Sequence, residues 1–267
     1  MPAARKGDGG VRKRRRAGRS AGENASAGGS ARGGALAKMR FVVTAGPTRE
    51  YLDPVRFLSN PSTGKMGFAV AKAAAEKGYE VVLIAGPVAL KTPRGVKRID
   101  VVSARDMLAA VRSVLGAEES LPPQSEDQKT SFPRSGRDSA SPMTVLISTA
   151  AIADWRPAKR APQKLKKAQM TGVLKLVRNP DILKSVKGCR KVGFAAETNA
   201  VEAEARRKCR AKQLEFIVAN DVTEPGCGFG TDTNRVMFLR KDGSIERLPL
   251  LSKLAVARRI VRECEGW

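Results

Sequence analysis

The stretch "SNPSTGKMG", residues 59–67, sets Asn60 and Ser62 ahead of Gly64, Lys65 and Gly67, where an apolar run gives way to an amphipathic one. Ser62, Thr63 and Gly64 at a helix start would offer amide N–H groups and a positive dipole end to a phosphate, although a plain Gly/Ser cap has the same composition. It is not a Walker loop, since Met66 stands where the Mg²⁺-binding hydroxyl belongs. Gly46-Pro47-Thr48 and the detour that follows are not the dinucleotide fingerprint either. Further along, "QKLKK" gathers Lys164, Lys166 and Lys167 in a proline-punctuated segment. Lys208 and Lys212 fall one helical turn apart, so both can face one anion, or simply form a solvated basic face. Asp154 and Asp181 could bridge a magnesium ion, which takes one or two carboxylates together with phosphate oxygens. Each could equally be a turn or N-cap aspartate. Phe194 is the one aromatic residue beside a glycine at a strand end, with a core position as the alternative.

Composition narrows the chemistry further. Fifty Lys and Arg against 26 Asp and Glu give a net charge of +24, suited to nucleic acid, an anionic membrane surface or a phosphorylated small molecule. There is no histidine, which excludes His general bases, His triads and His-containing metal sites and leaves Lys, Asp, Glu, Asn and backbone amides. Cys189, Cys209, Cys227 and Cys264 form no C-x-x-C pair, so no disulfide framework is expected and a reducing cytoplasm is the default setting. Sparse aromatics argue against a base-stacking platform for single-stranded nucleic acid. The longest apolar runs fall short of the roughly 20 residues of a membrane helix, so a soluble protein is expected, with no membrane partner.

The elements that must position these groups alternate in period. "RFVVTA" has strand length, and "GKMGFAVAKAAAEKG" puts Met66, Val70, Ala73 and Ala74 on one helical face before Gly78 stops it. "EVVLIAG" and "KRIDVV" read as strands, and "SARDMLAAVRSVLG" as a helix with Ser103 and Asp106 forming a capping box. After it come "TVLIST", a short strand signal at "VLKLV", a helix near "NPDILKSV", strand "KVGFAAE", helix "AVEAEARRKCRAK" and strand "EFIVAN". A hairpin turning at Asp242-Gly243 and a final helix from about Leu250 follow. The predicted fold is α/β: a Rossmann-like, mostly parallel sheet with helices on both faces, a basic flap and a C-terminal hairpin.

Residues 1–38, Gly/Ala/Ser-rich with the run "RKRRR", read as a disordered basic tail. Such a tail could bind nucleic acid, or be translated ahead of a natural start at Met39. Residues 39–267 read as one domain carrying a polar, Pro/Ser-rich insertion at about 117–142. In sheets of this kind ligands lie beyond the carboxyl ends of the strands, where "TAGPTRE", "TAAIADWR", "GFAAETN" and "ANDV" are expected to converge.

These segments, in order with "NPDIL", "KLKK" and "GFGTDTN", closely resemble phosphopantothenate-cysteine ligases of coenzyme A biosynthesis, also called phosphopantothenoylcysteine synthetases, over about residues 39–265. "KLKK", "NPDIL" and "ANDV" look like the bacterial, CTP-using branch. The resemblance implies an acid–amino-acid ligase that joins 4′-phosphopantothenate to cysteine through an acyl-cytidylate, with CTP as co-substrate and Mg²⁺ as cofactor. In many bacteria this domain is fused behind a flavin-dependent decarboxylase; with no histidine and no folded segment read ahead of it, a stand-alone synthetase without flavin, separate from its decarboxylase partner, is expected.

Residue by residue, Asn60 matches the family asparagine that holds substrate and is needed to turn over the acyl-cytidylate, and Lys164 the flap lysine that closes over the reacting groups. Arg56 matches an arginine that reaches across a homodimer interface to the neighbour's substrate phosphate. Ala150, Ala151 and Asp154 match a segment contacting pantothenate and nucleotide, with small side chains exposing backbone amides; Ser148 and Thr149 precede it. Pro180, Asp181, Ile182, Leu183, Phe194, Lys208 and Lys212 match positions lining the cytidine triphosphate site. Gly46, Ser62, Gly64, Gly67 and Asn220 match nucleotide contacts found in the family more widely. Gln163, where Glu is frequent, and Trp155, where Tyr or Phe is common, depart from the pattern. Other readings are a nicotinamide-dependent oxidoreductase on the same sheet type, weakened by the missing G-x-G-x-x-G, and nucleic-acid binding through residues 1–38.

Overall fold

The first apolar run forms β1 (Met39–Ala45), buried at every position but Arg40, as a strand covered on both faces must be. We describe it from a computed structural model covering residues 39–116, 142–169 and 172–267. The basic tail and nearly all of the insertion lie outside the described residues. After β1 come a small antiparallel hairpin, β2 (Arg49–Tyr51) and β3 (Phe57–Ser59), then α1 (Lys65–Glu76), β4 (Glu80–Ala85), β5 (Val96–Asp100) and α2 (Ala104–Leu115). The Ser103–Asp106 capping box is present: Asp106 N donates to Ser103 Oγ at 3.2 Å and Ser103 N to an Asp106 carboxylate oxygen at 2.8 Å.

Beyond the insertion follow β6 (Met143–Ser148), a second hairpin of β7 (Trp155–Pro157) and β8 (Leu176–Arg178), the single-turn helix α3 (Ile182–Ser185) and β9 (Arg190–Glu197). The chain continues with α4 (Val201–Lys212), β10 (Phe216–Asp221), β11 (Thr233–Asn234), β12 (Met237–Arg240), β13 (Ile245–Arg247), β14 (Leu251–Ser252) and α5 (Lys253–Glu265). The last helix starts later than the apolar pattern suggests, because Leu251 and Ser252 pair with β11 and Ser252 Oγ caps Ala255 N at 3.2 Å.

The main sheet runs β13-β12-β10-β9-β6-β1-β4-β5; β5 through β10 are parallel and the β12–β13 hairpin closes one edge antiparallel. Successive side chains of β1 feed opposite cores. Phe41, Val43 and Ala45 pack with α1 and α5, while Val42 joins Ile84, Leu146 and the apolar faces of α2, α3 and α4. The predicted α/β class, with helices on both faces, is the fold observed. Among the described residues no helix is long and apolar enough to cross a membrane.

The parallel order reverses between β1 and β6. Chain direction moves outward from β1 to β4 and β5 on one side, and from β6 to β9 and β10 on the other. A crevice opens at such a switch point beyond the strand ends, where residues 45–48 and 148–151 emerge side by side.

Candidate active site

At the switch point the two strand ends stay in register after the sheet stops. Thr149 donates to Thr44 O from its amide at 3.1 Å and from Oγ1 at 2.7 Å, and the buried Thr44 and Ser148 hydroxyls meet at 3.4 Å. Ala151 N donates to Gly46 O at 2.9 Å, Thr48 N to Ala151 O at 3.4 Å, and Pro47 bridges Ala151 in parallel fashion. Asn60 reaches into this seam, its Nδ2 donating to Ala151 O at 3.1 Å. The geometry therefore joins Gly46, Asn60, Ser148, Thr149, Ala150 and Ala151 in one place.

Two details differ from the sequence expectation. The Ala151 amide is taken by Gly46 O, and the Ala150 amide points at Thr44 Oγ1, 3.5 Å away. The seam between β1 and β6 consumes these donors, so the alanines contribute room instead of exposed amides. Phe194 is the fifth residue of the eight-residue β9, not at its end. It pairs with Val218 and packs, partly buried, against the α1/α5 core.

Close approach explains the glycines. Gly46 and Gly64 hold φ of 77° and 78°, in the left-handed region that favours glycine. Gly64 is the N-cap of α1 and supplies no side-chain cap, while its own N–H reaches Ser62 Oγ at 3.4 Å. Gly67 lets α1 lie on β1: a Cβ there would stand 2.4 Å from both Ala45 Cβ and Thr149 Oγ1.

The outer wall is held by side chains. Thr48 Oγ1 accepts from Ala153 N at 3.0 Å, Asn179 Nδ2 donates to Ala153 O at 2.8 Å, and Asn179 N donates to Asp154 O at 2.8 Å. Pro180 and Asp181 are thereby set beside Asp154. Asp181 caps α3, accepting from Lys184 N at 3.2 Å, and pairs with Lys212 at 3.1 Å. Ile182 and Leu183 are core residues. Lys208 pairs with Glu197, so each of the two lysines faces a carboxylate of its own. Asp154 is exposed, and its side chain has no hydrogen bond or ion pair among the described residues. Among those residues no three His, Cys, Asp or Glu gather as a metal cluster.

The 226–234 loop forms the remaining side. Asn220, 8% exposed, donates from Nδ2 to Cys227 O at 3.0 Å, and Thr63 Oγ1 donates to Phe229 O at 2.8 Å. Lys65 Nζ reaches Gly230 O at 2.9 Å and Asp232 at 2.7 Å. The buried Lys253 ammonium donates to the carbonyls of Gly228, Phe229 and Thr231, the last at 2.6 Å. Burial pushes the Lys253 pKa down from the usual lysine range.

Arg56 and Lys164 lie on the two excursions. Arg56 is held within its own chain by Asp53 and by Leu165 O at 2.9 Å, and Lys164, next to Leu165, is exposed. Sequence reasoning missed Asp53, Thr44, Thr48, Gly86 and Lys253. Gly86 closes β4 as Gly46 closes β1, and a Cβ there would fall 1.7 Å from Pro47 O; the matching "TAG" and "IAG" strand ends were the available signal.

Residues 36–120 and 134–266 match the family model described as DNA/pantothenate metabolism flavoprotein C-terminal domain. The coenzyme A biosynthesis bifunctional protein CoaBC of Bacillus subtilis (strain 168) is 45% identical over 227 residues, covering 83% of this chain and 50% of that protein. Its counterpart in Escherichia coli (strain K12) is 41% identical over 239 residues, covering 85% and 53%. The chain thus spans about half the length of these curated relatives. A crystal structure of the C-terminal domain of a CoaBC protein superposes with a TM-score of 0.65 at 38% identity, covering 86% of this chain and 96% of that one. The DNA/pantothenate metabolism flavoprotein from Streptococcus pneumoniae, at 22% identity and a TM-score of 0.64, shares the fold. The chain belongs to the family of the DNA/pantothenate metabolism flavoprotein C-terminal domain.

Proposed function

We propose that this chain is a CTP-dependent phosphopantothenate-cysteine ligase. The observation that carries the proposal is the Asn60–Ala151–Gly46 seam at the switch point, flanked by the α1 start and by the 179–181 segment. In the first step a carboxylate oxygen of 4′-phosphopantothenate attacks the α-phosphorus of CTP, and the bond to the β-phosphate breaks to release pyrophosphate. In the second, the cysteine amine attacks the acyl carbon, loses a proton, and the C–O bond breaks to release CMP. Neither step needs an enzyme nucleophile, which suits a chain without histidine. Charge neutralisation and alignment supply the catalysis.

In this reading Asn60, oriented by Ala151 O, holds the substrate and is needed to turn over the acyl-cytidylate. Lys164 meets the charge that develops on the phosphates. Gly46, Ser62, Gly64, Gly67 and Asn220 contact the nucleotide, and Pro180 to Leu183, Phe194, Lys208 and Lys212 line the cytidine triphosphate site. The donor set fits a Mg²⁺ carried mainly by phosphate oxygens, with Asp154 as the protein carboxylate. That ion would neutralise triphosphate charge. Asp181, committed to its cap and to Lys212, serves the wall.

A second copy of the chain is the proposed partner. Val55, Phe57 and Leu58 on the first excursion and Trp155, Leu174 and Leu176 on the second are exposed apolar residues, a pattern that marks an interaction surface. Arg56 sits on the same excursion, consistent with reaching a neighbouring site.

The test is pyrophosphate release from purified protein with 4′-phosphopantothenate and Mg²⁺, comparing CTP with ATP before adding cysteine. Release with CTP, followed by CMP and phosphopantothenoylcysteine on adding cysteine, is expected. No release with either nucleotide from folded protein overturns the reading.

A further inference from the structure

We propose that Asp53 is a positioning residue that fixes the Arg56 guanidinium and the Lys164-bearing segment as one unit through a single carboxylate oxygen. The Asp53 residue is 0% exposed, and its two oxygens have separate partners. Oδ1 accepts from Val55 N and Arg56 N, both at 2.9 Å, which closes the turn between β2 and β3. Oδ2 accepts from Arg56 Nε at 2.9 Å, from Arg56 Nη2 at 2.5 Å and, across the chain, from Leu165 N at 3.2 Å. Arg56 Nη2 completes a triangle by donating to Leu165 O at 2.9 Å. A second strut runs parallel to it, from Ala161 N to Leu52 O at 2.9 Å.

Charge-assisted bonds are the strong ones; the Asp53 carboxylate is buried while the Arg56 side chain stays part-exposed, and its planar fork can hold a carboxylate and a carbonyl at once. Arg56 holds the Asp53 carboxyl well below its ordinary value of 3.8, so the carboxylate stays charged at neutral and mildly acidic pH. Deletion of the bonds at Oδ2 would loosen both groups together, leaving the Arg56–Leu165 carbonyl bond and the Ala161–Leu52 strut to hold them. This inference rests on the ligase reading for its kinetic part, since Arg56 and Lys164 act on substrate only there; the geometric part stands without it.

The divided carboxylate gives a clean test. Asp53→Asn keeps an acceptor for the turn amides but turns an NH₂ toward the three donors that Oδ2 serves. Trypsin cuts after Lys164, Lys166 and Lys167, so the segment reports its own release. Asp53→Asn is expected to speed cleavage at these three lysines, and at Arg56, by about tenfold or more, with sites outside the two excursions unchanged. The same variant should raise KM for 4′-phosphopantothenate about tenfold or more, through Arg56, and also lower kcat, through Lys164. Arg56→Lys, which keeps the charge but loses the fork, should give an intermediate cleavage rate and carries the test if Asp53→Asn does not fold. Cleavage at wild-type rate in Asp53→Asn, or in Arg56→Lys if that variant carries the test, overturns the inference. Inactive wild-type protein whose cleavage still accelerates on substitution removes the ligase reading and sustains the positioning role of Asp53.

Discussion

Gly67→Ala separates two opposing effects whose sizes follow from the structure. In an open helix the change stabilises, by up to about 1 kcal/mol, because alanine loses less backbone entropy on folding. Here the added methyl would lie 2.4 Å from Ala45 Cβ and from Thr149 Oγ1, and 3.1 Å from Ala45 Cα. Ordinary contact begins near 3.4 Å, so α1 must withdraw by about 1 Å or Thr149 must abandon its bond to Thr44 O. Overpacking of this kind costs about 1–3 kcal/mol, and a weakened Thr149 bond adds about 1 kcal/mol. The steric term wins, leaving a net loss of about 2 kcal/mol and a Tm about 4–8 °C below wild type for a domain of this size. Gly230→Ala is the control, since nothing lies within 4 Å of its added methyl, and its stability should stay within about 0.5 kcal/mol. Circular dichroism melts of the three proteins decide the matter. A Tm for Gly67→Ala equal to or above wild type would refute the reasoning.

Asn60→Asp removes the donor to Ala151 O and sets two oxygens against each other, so pyrophosphate release should persist while cysteine transfer slows by about 10–100-fold; unchanged overall turnover in a coupled assay would rule out the role of Asn60. Asp181→Asn preserves a good N-cap and loses only a part-exposed ion pair with Lys212, so stability should change by less than about 1 kcal/mol and the Mg²⁺ dependence of activity should not move. A large rise in the Mg²⁺ required would make Asp181 a ligand after all. Acid stability follows from Glu246 and Glu263, held below the usual 4.5 first by Arg240 and then by Arg259, and from Asp53, held below 3.8 first by Arg56. Their folded-state pKa values are depressed, so their contribution is fully present above about pH 4.5 and is lost as pH falls through the folded values. Melts across pH 3 to 7 should show Tm flat at the upper end and falling at the lower, with a shallower fall in Glu263→Gln.

The parallel sheet was legible because β1, β4, β6, β9 and β10 are continuous apolar runs of strand length separated by helical periods. The cap of α2 and the Asp242-Gly243 turn were legible because each uses neighbours in sequence. The two small hairpins were not: β3 is exposed throughout, so its composition carries no period. Thr44, Thr48 and Asp53 act on segments about a hundred residues away, through hydrogen bonds that leave no spacing to read. Lys253 looks like any helical lysine, yet its ammonium is buried among carbonyls. Lys208 and Lys212 share a helical face as expected, and what the pattern could not supply was the carboxylate facing each one.

The reversal of strand order at β1 and β6 also bears on how the molecule comes into being. One wall of the crevice is complete once residues 39–100 have paired, but the other is contributed by β6, which must find the open flank of β1 after the chain has passed through the insertion. Pairing between strands so distant in sequence slows the search for the native arrangement. During synthesis the nascent protein therefore exposes an unpaired parallel edge, with Thr44 awaiting its partner, until residue 148 has left the ribosome.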